Sequence, residues 1–215
     1  TGADEESKAE YAAGQTVAVS LLGAMIVGVV GDGFVSELLG LLGASDDVLR
    51  LATDYMQVIS LGLPFMFGFF VFIALMRGYG DTITPMLVMF GSVLLNVILD
   101  PFLIFGWGPF PRLGIEGAAI ATVFSRSLAL LVGLAIMFQG SRGVRIRLGQ
   151  MRPDLSFTKE LVSIGFPASI EGMGRALSIN LLLVIVGLFP TYVVAAYGIG
   201  TRVFSVIFLP AIAVA

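Results

Sequence analysis

Long apolar stretches alternate with short polar turns along this chain, and the alternation predicts six membrane-spanning helices. A helix needs about 20 apolar residues to cross the hydrocarbon core of a bilayer. Stretches of that length with few charges locate the predicted spans. They run over Tyr11 to Phe34, Tyr55 to Met76, Thr84 to Gly106, Ala118 to Phe138, Thr158 to Leu188, and Tyr192 to the end.

The connections between these spans divide the chain into two parts. Four connections are short and rich in Gly, Asp and Pro, as turns are. The remaining one, residues 141–157, is longer and carries Arg142, Arg145, Arg147 and Arg152. We interpret this basic segment as a linker between two lobes. Residues 1–140 then form part of an N-terminal lobe with four transmembrane helices, and residues 158–215 begin a C-terminal lobe with two.

Composition supports an all-α, polytopic membrane protein. The chain is 57% hydrophobic and 13% charged, with a mean hydropathy of +0.99, values that exclude an ordinary soluble domain. Cys and His are both absent, which excludes thiolate chemistry, typical zinc sites and Ser-His-Asp catalysis from these residues. Catalysis by these residues would have to rest on carboxylates. We expect no enzyme activity, no cofactor and no nucleic-acid partner. The chain stops inside an apolar run, so we also expect further helices of the same protein beyond it.

Basic residues in the connections predict the orientation. If alternate connections lie on the same side, seven basic residues fall on one side, and Arg50 and Arg112 on the other. Cytoplasmic loops carry an excess of Lys and Arg. The N-terminus and the linker are therefore predicted to be cytoplasmic, in a multi-pass protein of the cell membrane.

The most informative polar residue is Asp100, which lies in the apolar run from Thr82 to Gly106. A carboxylate at mid-bilayer costs about 2.5 to 3.5 kcal/mol on insertion scales, so such acids usually face a cavity or bind an ion. Asn96 lies one turn earlier on the same face. Pro101 lacks an N–H group and leaves a backbone carbonyl free nearby. Oxygen ligands of this kind suit Na⁺ or a proton relay, although a structural contact between helices would use the same residues.

Two further sets of residues are candidates in later spans. Thr122 follows Ala118 by one turn, and either packs while bonded to its own helix or, if an acid faces it, acts as a ligand. Arg126 follows one turn later, and either extends its charged end to the membrane surface or pairs with an acid elsewhere. Glu171 and Arg175 have the i, i+4 spacing of a mutually neutralising pair. Alternatively, they face a substrate cavity.

Gly78-Tyr79-Gly80-Asp81 formally matches the GxGD signature of intramembrane aspartyl proteases. Such an enzyme needs a second Asp at matching depth, whereas Asp54 is predicted at the opposite membrane face. Asp81 also precedes a helix start with Pro85 in its first turn, which favours a capping role.

The order and spacing of three blocks resemble the multidrug and toxic compound extrusion (MATE) family. The blocks are Arg77-Gly78-Tyr79-Gly80-Asp81-Thr82-Ile83-Thr84-Pro85-Met86, Asn96-Val97-Ile98-Leu99-Asp100-Pro101, and Gly114-Ile115-Glu116-Gly117-Ala118-Ala119-Ile120-Ala121-Thr122. The resemblance implies a two-lobe, twelve-helix protein of which this chain is about helices three to eight, monomeric when complete.

The same resemblance implies a function and a site. It implies export of organic, often cationic, compounds in exchange for H⁺ or Na⁺ by alternating access. Asn96, Asp100, Ala118 (through its carbonyl) and Thr122 match the family's cation-coupling positions, and would bind Na⁺ in a sodium-coupled member. A second acid of that site lies on a helix outside this chain. The alternatives are a lipid-linked oligosaccharide flippase of the same superfamily, the GxGD protease, and a membrane scaffold that transports nothing.

Overall fold

The structure is a computed structural model, and it describes residues 2–41, 46–140 and 154–214. Within these ranges the chain forms six α-helices and no strand, which confirms the predicted all-α class. The arginines predicted to make the linker basic, Arg142 to Arg152, lie outside the described residues. The helices are α1 (Gly2–Leu41), α2 (Asp46–Gly78), α3 (Ile83–Phe105), α4 (Ile115–Gln139), α5 (Leu155–Gly187) and α6 (Thr191–Val214).

Five of the described helices contain segments long and apolar enough to cross a membrane. Each contains or closely matches one predicted span, and together they make this a multi-pass membrane protein. The sixth predicted span, from Tyr192, is helical in α6 and stays a prediction as a membrane span. The five segments are Lys8–Phe34, Leu49–Gly78, Ile83–Phe105, Ile115–Gln139 and Leu155–Gly187.

The chain divides into two compact units, Thr1–Thr158 and Lys159–Ala215. In the first unit, α2 packs against α1, α3 and α4, and α4 also packs against α3. The core lies where α1, α2 and α4 meet and consists of small and large apolar side chains. Its buried members are Ala13, Val17, Phe69, Phe72, Ile73, Met76, Ala129, Leu130 and Met137.

Glycines permit the close approach of α2 and α4. A Cβ atom built on Gly133 of α4 would lie 2.8 Å from the ring of Phe72 in α2. The Phe72 side chain is 1% exposed, so the ring occupies the space that any larger residue at 133 would need. Lipid gives apolar helices little reason to associate by burial alone, so such fitted contacts of small residues stabilise the bundle.

The turn between α2 and α3 is built around Asp81. Its Oδ1 accepts hydrogen bonds from the backbone N–H groups of Ile83 (3.1 Å) and Thr84 (2.9 Å). Its Oδ2 accepts one from the Thr84 hydroxyl at 2.6 Å. These bonds satisfy N–H groups that the first turn of a helix leaves without partners, so the predicted capping role of Asp81 is confirmed.

Asp81→Ala should therefore destabilise the protein by about 1 kcal/mol, the usual cost of losing a helix cap. Thermal unfolding in detergent measures this as a lowered midpoint. Asp54→Ala is the matched control, because Asp54 is an exposed acid on α2, and it should leave the midpoint nearly unchanged. Equal midpoints for the two variants would contradict the capping role.

The start of α5 is held against α1 within the first unit. Tyr11 donates its hydroxyl to Asp154 Oδ2 at 2.8 Å, and the backbone N–H of Asp154 donates to Oε1 of the buried Gln15 at 2.9 Å. The ring of Phe157 meets that of Tyr11 edge to face, with centroids 6.1 Å apart. Asp154 Oδ1 accepts the N–H of Ser156 and so caps α5.

These contacts make one part of the stability pH-dependent. The Tyr11 hydroxyl and, next, the Ser156 N–H hold the pKa of Asp154 below its ordinary value. A carboxyl with a lowered folded-state pKa contributes stability above its unfolded pKa of about 3.9, and the contribution is lost as pH falls through the folded value. Tyr11→Phe should lower the unfolding midpoint at neutral pH, and its difference from wild type should shrink below about pH 4. Tyr55→Phe is the control, since no side-chain hydrogen bond of Tyr55 is described, and a pH-independent effect of Tyr11→Phe would contradict this account.

The second unit contains the rest of α5 and α6. A turn joins the helices, in which the N–H groups of Leu188 and Phe189 donate to the carbonyls of Ile185 and Val186, both at 3.1 Å. A groove in this unit has mixed polar and apolar walls. It is lined by Ile179, Tyr197, Gly200, Thr201, Phe204 and Ser205.

Candidate functional site in the α3 and α4 helix pair

The structure brings together the four residues predicted to bind the coupling cation. Asn96 and Asp100 lie one turn apart on α3, and the Asn96 amide nitrogen Nδ2 is 3.4 Å from Asp100 Oδ1. The same nitrogen is 3.5 Å from Thr122 Oγ1 on α4. Thr122 in turn donates its hydroxyl to the carbonyl of Ala118 at 2.9 Å.

The donors of the hydrogen bonds in this group are the amide of Asn96 and the hydroxyl of Thr122. The Asn96 amide donates to both oxygen neighbours, and at 3.4 and 3.5 Å these bonds are longer than the usual 2.7 to 3.2 Å. The bond from Thr122 to the Ala118 carbonyl has ordinary length. The hydrogen bond between α3 and α4 in this group is therefore long and weak, whereas the one within α4 has ordinary strength.

The backbone geometry between α3 and α4 places these residues opposite each other. α3 ends at Gly106 in the left-handed conformation (φ 74°), and the chain returns so that the N–H of Leu113 bonds the carbonyl of Leu103 at 3.0 Å. Gly117 then meets Leu103 so closely that an added Cβ would lie 2.4 Å from its carbonyl oxygen. That contact fixes the position of α4 next to α3 directly before Ala118, the next residue.

Pro101 lies inside α3, directly beside the site. Because proline has no N–H, the carbonyl of Val97 lacks the donor that helix geometry would otherwise supply. The half-buried carboxylate of Asp100 thus has the carbonyl oxygen of Val97 nearby, in addition to the oxygen atoms of neighbouring side chains. The group offers a carboxylate, an amide, a hydroxyl and backbone carbonyls. Their oxygen atoms are the hard ligands that suit Na⁺. The carboxylate can alternatively take up a proton.

The site extends further than the sequence indicated. A small cavity of about 30 Å³ adjoins Asn96 and Thr122 and is also lined by Ser92, Val93, Ser125 and Arg126. Ser92 donates its hydroxyl to the carbonyl of Ser125 at 3.1 Å, which joins α3 and α4 a second time. The sequence had already indicated Arg126, which follows Thr122 by one turn. The same helical spacing could have found Ser92, which precedes Asn96 by one turn.

Among the residues that the structure describes, the site contains one carboxylate, that of Asp100. In the same described part of the chain there is no group of three or more Asp, Glu, His or Cys side chains that could hold a metal ion.

Glu171 and Arg175 belong to the second unit. They form the predicted ion pair, with Arg175 Nη2 2.8 Å from Glu171 Oε1, and both side chains are about three-quarters exposed. The groove of that unit is lined by other residues. The role of Glu171 and Arg175 in a substrate cavity therefore stays a prediction.

The two acids of the protease alternative are far apart. Asp54 lies near the beginning of α2, and Asp81 follows its end. At 1.5 Å per residue the helix between them is about 36 Å long. These two carboxylates cannot share a catalytic water.

The fold and this site define a multi-pass, α-helical membrane protein with a polar group between two of its transmembrane helices. The MatE family model matches residues 1–102. The "Probable multidrug resistance protein YoeA" of Bacillus subtilis (strain 168) is 31% identical over 215 residues, which are 98% of this chain and 46% of that protein. The chain belongs to the MatE family.

Two other comparisons agree with this assignment. The "FAD transporter" of Shewanella oneidensis is 36% identical over 183 residues, which are 84% of this chain and 40% of that protein. The solved structure titled "Outward-facing conformation of a multidrug resistance MATE family transporter of the MOP superfamily" superposes with a TM-score of 0.72 at 23% identity, over 95% of this chain and 50% of that one. It shares the fold. The chain thus spans about half the length of the relatives it matches.

Proposed function

We propose that this chain forms about half of a secondary active transporter, one that exports organic, predominantly cationic compounds in exchange for H⁺ or Na⁺. The observation that carries the proposal is the cluster of Asn96, Asp100, Ala118 and Thr122 on two helices of a MatE-family membrane protein. A carboxylate held among neutral oxygen ligands inside a membrane is costly unless it binds something. Membership of the family makes a coupling cation the favoured occupant.

The hydrogen bonds suggest how the site takes up a cation. In the arrangement described, the Asn96 N–H₂ group faces Asp100 and Thr122. On Na⁺ binding, the amide would turn so that its oxygen joins the carboxylate, the Thr122 hydroxyl oxygen and the Ala118 carbonyl. Its long hydrogen bonds are the weakest in the group, so this rotation breaks little. With H⁺, the proton would reside on Asp100 itself.

Either event cancels the buried charge of Asp100 and changes which arrangement of the helices is most stable. A ligand shifts a conformational equilibrium by the difference between its affinities for the two states. Pro101 interrupts the hydrogen bonding of α3 beside the charge, so α3 can bend there at low cost. Cation binding on the outside and substrate release there would thus be coupled by one helix.

Further proposals concern the complete transporter. We place it in the cell membrane as a monomer, with the start of α1 and the linker 141–157 in the cytoplasm. The bilayer and the remaining helices of the protein would then surround the faces of α1 to α6. Basic residues on the cytoplasmic side support this orientation.

Transport by the complete protein in proteoliposomes tests the proposal. A lipophilic cationic dye and FAD, chosen after the names of the two curated relatives, would be offered as substrates with a pH gradient and a Na⁺ gradient imposed separately. Export of the dye driven by either gradient is the expected result. Flux that ignores both gradients would refute cation coupling, and preferential movement of FAD would refute the cationic substrate class. Movement of a pyrophosphate-linked lipid would favour the flippase.

A further inference from the structure

Arg126 carries a positive charge next to the proposed coupling site. Its side chain is half-buried, and its Nη1 atom is fully buried without a hydrogen-bond partner. The guanidinium carbon Cζ lies 5.6 Å from the centre of the Phe69 ring on α2, a cation–π distance. Within the residues that the structure describes, no carboxylate pairs with it. A charge in this position requires compensation from elsewhere.

The guanidinium shares its cavity with the coupling site. The cavity of about 30 Å³ is lined by Arg126 and by Asn96 and Thr122, which belong to that site. Side chains on a helix lean toward its N-terminus, so Arg126 leans toward Thr122, which lies about 6 Å away along α4. Ser125 is 1% exposed, and its hydroxyl also lacks a partner. Polar groups that need partners thus gather on the side of the cavity away from Asp100.

The nearest acid on the facing helix is Asp100, one turn beyond Asn96. The residues of α2 and α3 that meet Arg126 in the ring contact and the cavity are Phe69, Ser92, Val93 and Asn96, none of which is charged. Asp100 is the sole acid in α3. When the coupling cation leaves, a half-buried carboxylate and a half-buried arginine remain, with Asn96 and Thr122 between them.

We propose that Arg126 is a tethered cation that competes with the coupling ion for Asp100. This inference rests on the proposed function. With the site free of its ion, Arg126 compensates the charge of Asp100. With an ion or proton bound there, the guanidinium repels it. Arg126 therefore lowers the affinity of the site, makes release possible and sets the ion concentration at which the transporter works.

The expected effect follows from the separation of the charges. Asp100 and Arg126 lie about two helical turns apart along the α3 and α4 pair, roughly 11 Å. At that separation and an effective dielectric constant near 20, removing the guanidinium should raise the affinity of the site on the order of tenfold. The charge acts on a Na⁺ ion bound at Asp100. The change should therefore appear in the affinity of the site for Na⁺.

The test measures ion binding apart from transport. The complete transporter in detergent is titrated with NaCl at constant ionic strength against choline chloride, and the midpoint of thermal unfolding is followed. Arg126→Gln removes the charge, Arg126→Lys keeps it, and Arg112→Gln removes an arginine from the exposed turn between α3 and α4. Arg126→Gln should shift the titration to about tenfold lower Na⁺ concentration, with the other two variants close to wild type.

Each outcome bears on the proposal. An unchanged titration in a folded Arg126→Gln variant would overturn it and leave Arg126 a purely structural role. Equal shifts in Arg126→Gln and Arg126→Lys would also overturn it, since shape and not charge would then matter. If wild-type protein shows no ion-dependent stabilisation, or shows one that survives Asp100→Asn, the proposed coupling site itself is wrong.

Discussion

Asp100→Asn is expected to abolish cation-driven export by the complete transporter. The substitution keeps the shape of the side chain but removes the one carboxylate among the oxygen ligands at this position. Removing one partner of a buried, hydrogen-bonded charge pair costs about 2 to 5 kcal/mol. Ion affinity should therefore fall by roughly 30-fold or more. Proteoliposome flux under an imposed pH or Na⁺ gradient measures the loss.

The control for this prediction is Asp54→Asn. Asp54 is an exposed acid near the start of α2, so its neutralisation changes the net charge by the same amount without touching the site. It should transport like wild type. Asp100→Asn should remain folded, because asparagine keeps the size of the side chain and its amide oxygen can still accept the hydrogen bond from Asn96. Gradient-driven export that survives in a folded Asp100→Asn protein would show that the coupling residue lies elsewhere.

Gly117→Ala is expected to have the largest effect on stability. Its added Cβ would lie 2.4 Å from the backbone oxygen of Leu103 and 2.6 Å from the adjoining carbonyl carbon. Backbone atoms cannot rotate away as a side-chain end can, so α3 and α4 must separate. Overpacking of this kind costs typically about 1 to 3 kcal/mol. Because Ala118 is the next residue, the separation should also weaken cation binding.

Gly91→Ala provides the matched control on α3. Nothing lies within 4 Å of a Cβ built at Gly91, and the residue is exposed in the first unit. Replacing glycine by alanine inside a helix usually stabilises it by up to about 1 kcal/mol. The same chemical change should thus lower the unfolding midpoint at position 117 and leave it unchanged or higher at position 91. Equal midpoints for the two variants would show that α3 and α4 tolerate a wider spacing than the structure has.

The helices were predictable because membrane spans depend on local properties of the sequence. Apolar length fixes where a span can lie, and the breaks at Gly106 and Gly140 fall where the chain adopts left-handed backbone conformations. The spacing of Asn96 and Asp100 is likewise local, since residues four apart in a helix must share a face. The cap formed by Asp81 involves residues at most three positions away.

The partners across helices were harder to predict. Asn96 and Thr122 are 26 residues apart, and the sequence connected them through a family resemblance and not through geometry. Transmembrane spans are apolar on nearly all sides, so their patterns do not say which face meets which neighbour. The cavity lined by Ser92, Ser125 and Arg126 depends on which helix faces meet. From the sequence alone, Arg126 had two alternative interpretations.

The sequence by itself thus determined that this is an all-α, multi-pass membrane protein, where its described helices lie, and that Asn96 and Asp100 share a face. The reason is that helix formation and membrane insertion depend on residues close together in the chain. The tertiary structure decided that α4 approaches α3 through Gly117, that Thr122 faces Asn96, and that Arg126 lies beside the site without an acid partner among the described residues. Those facts depend on close packing between helices, where a single Cβ atom determines which faces can meet.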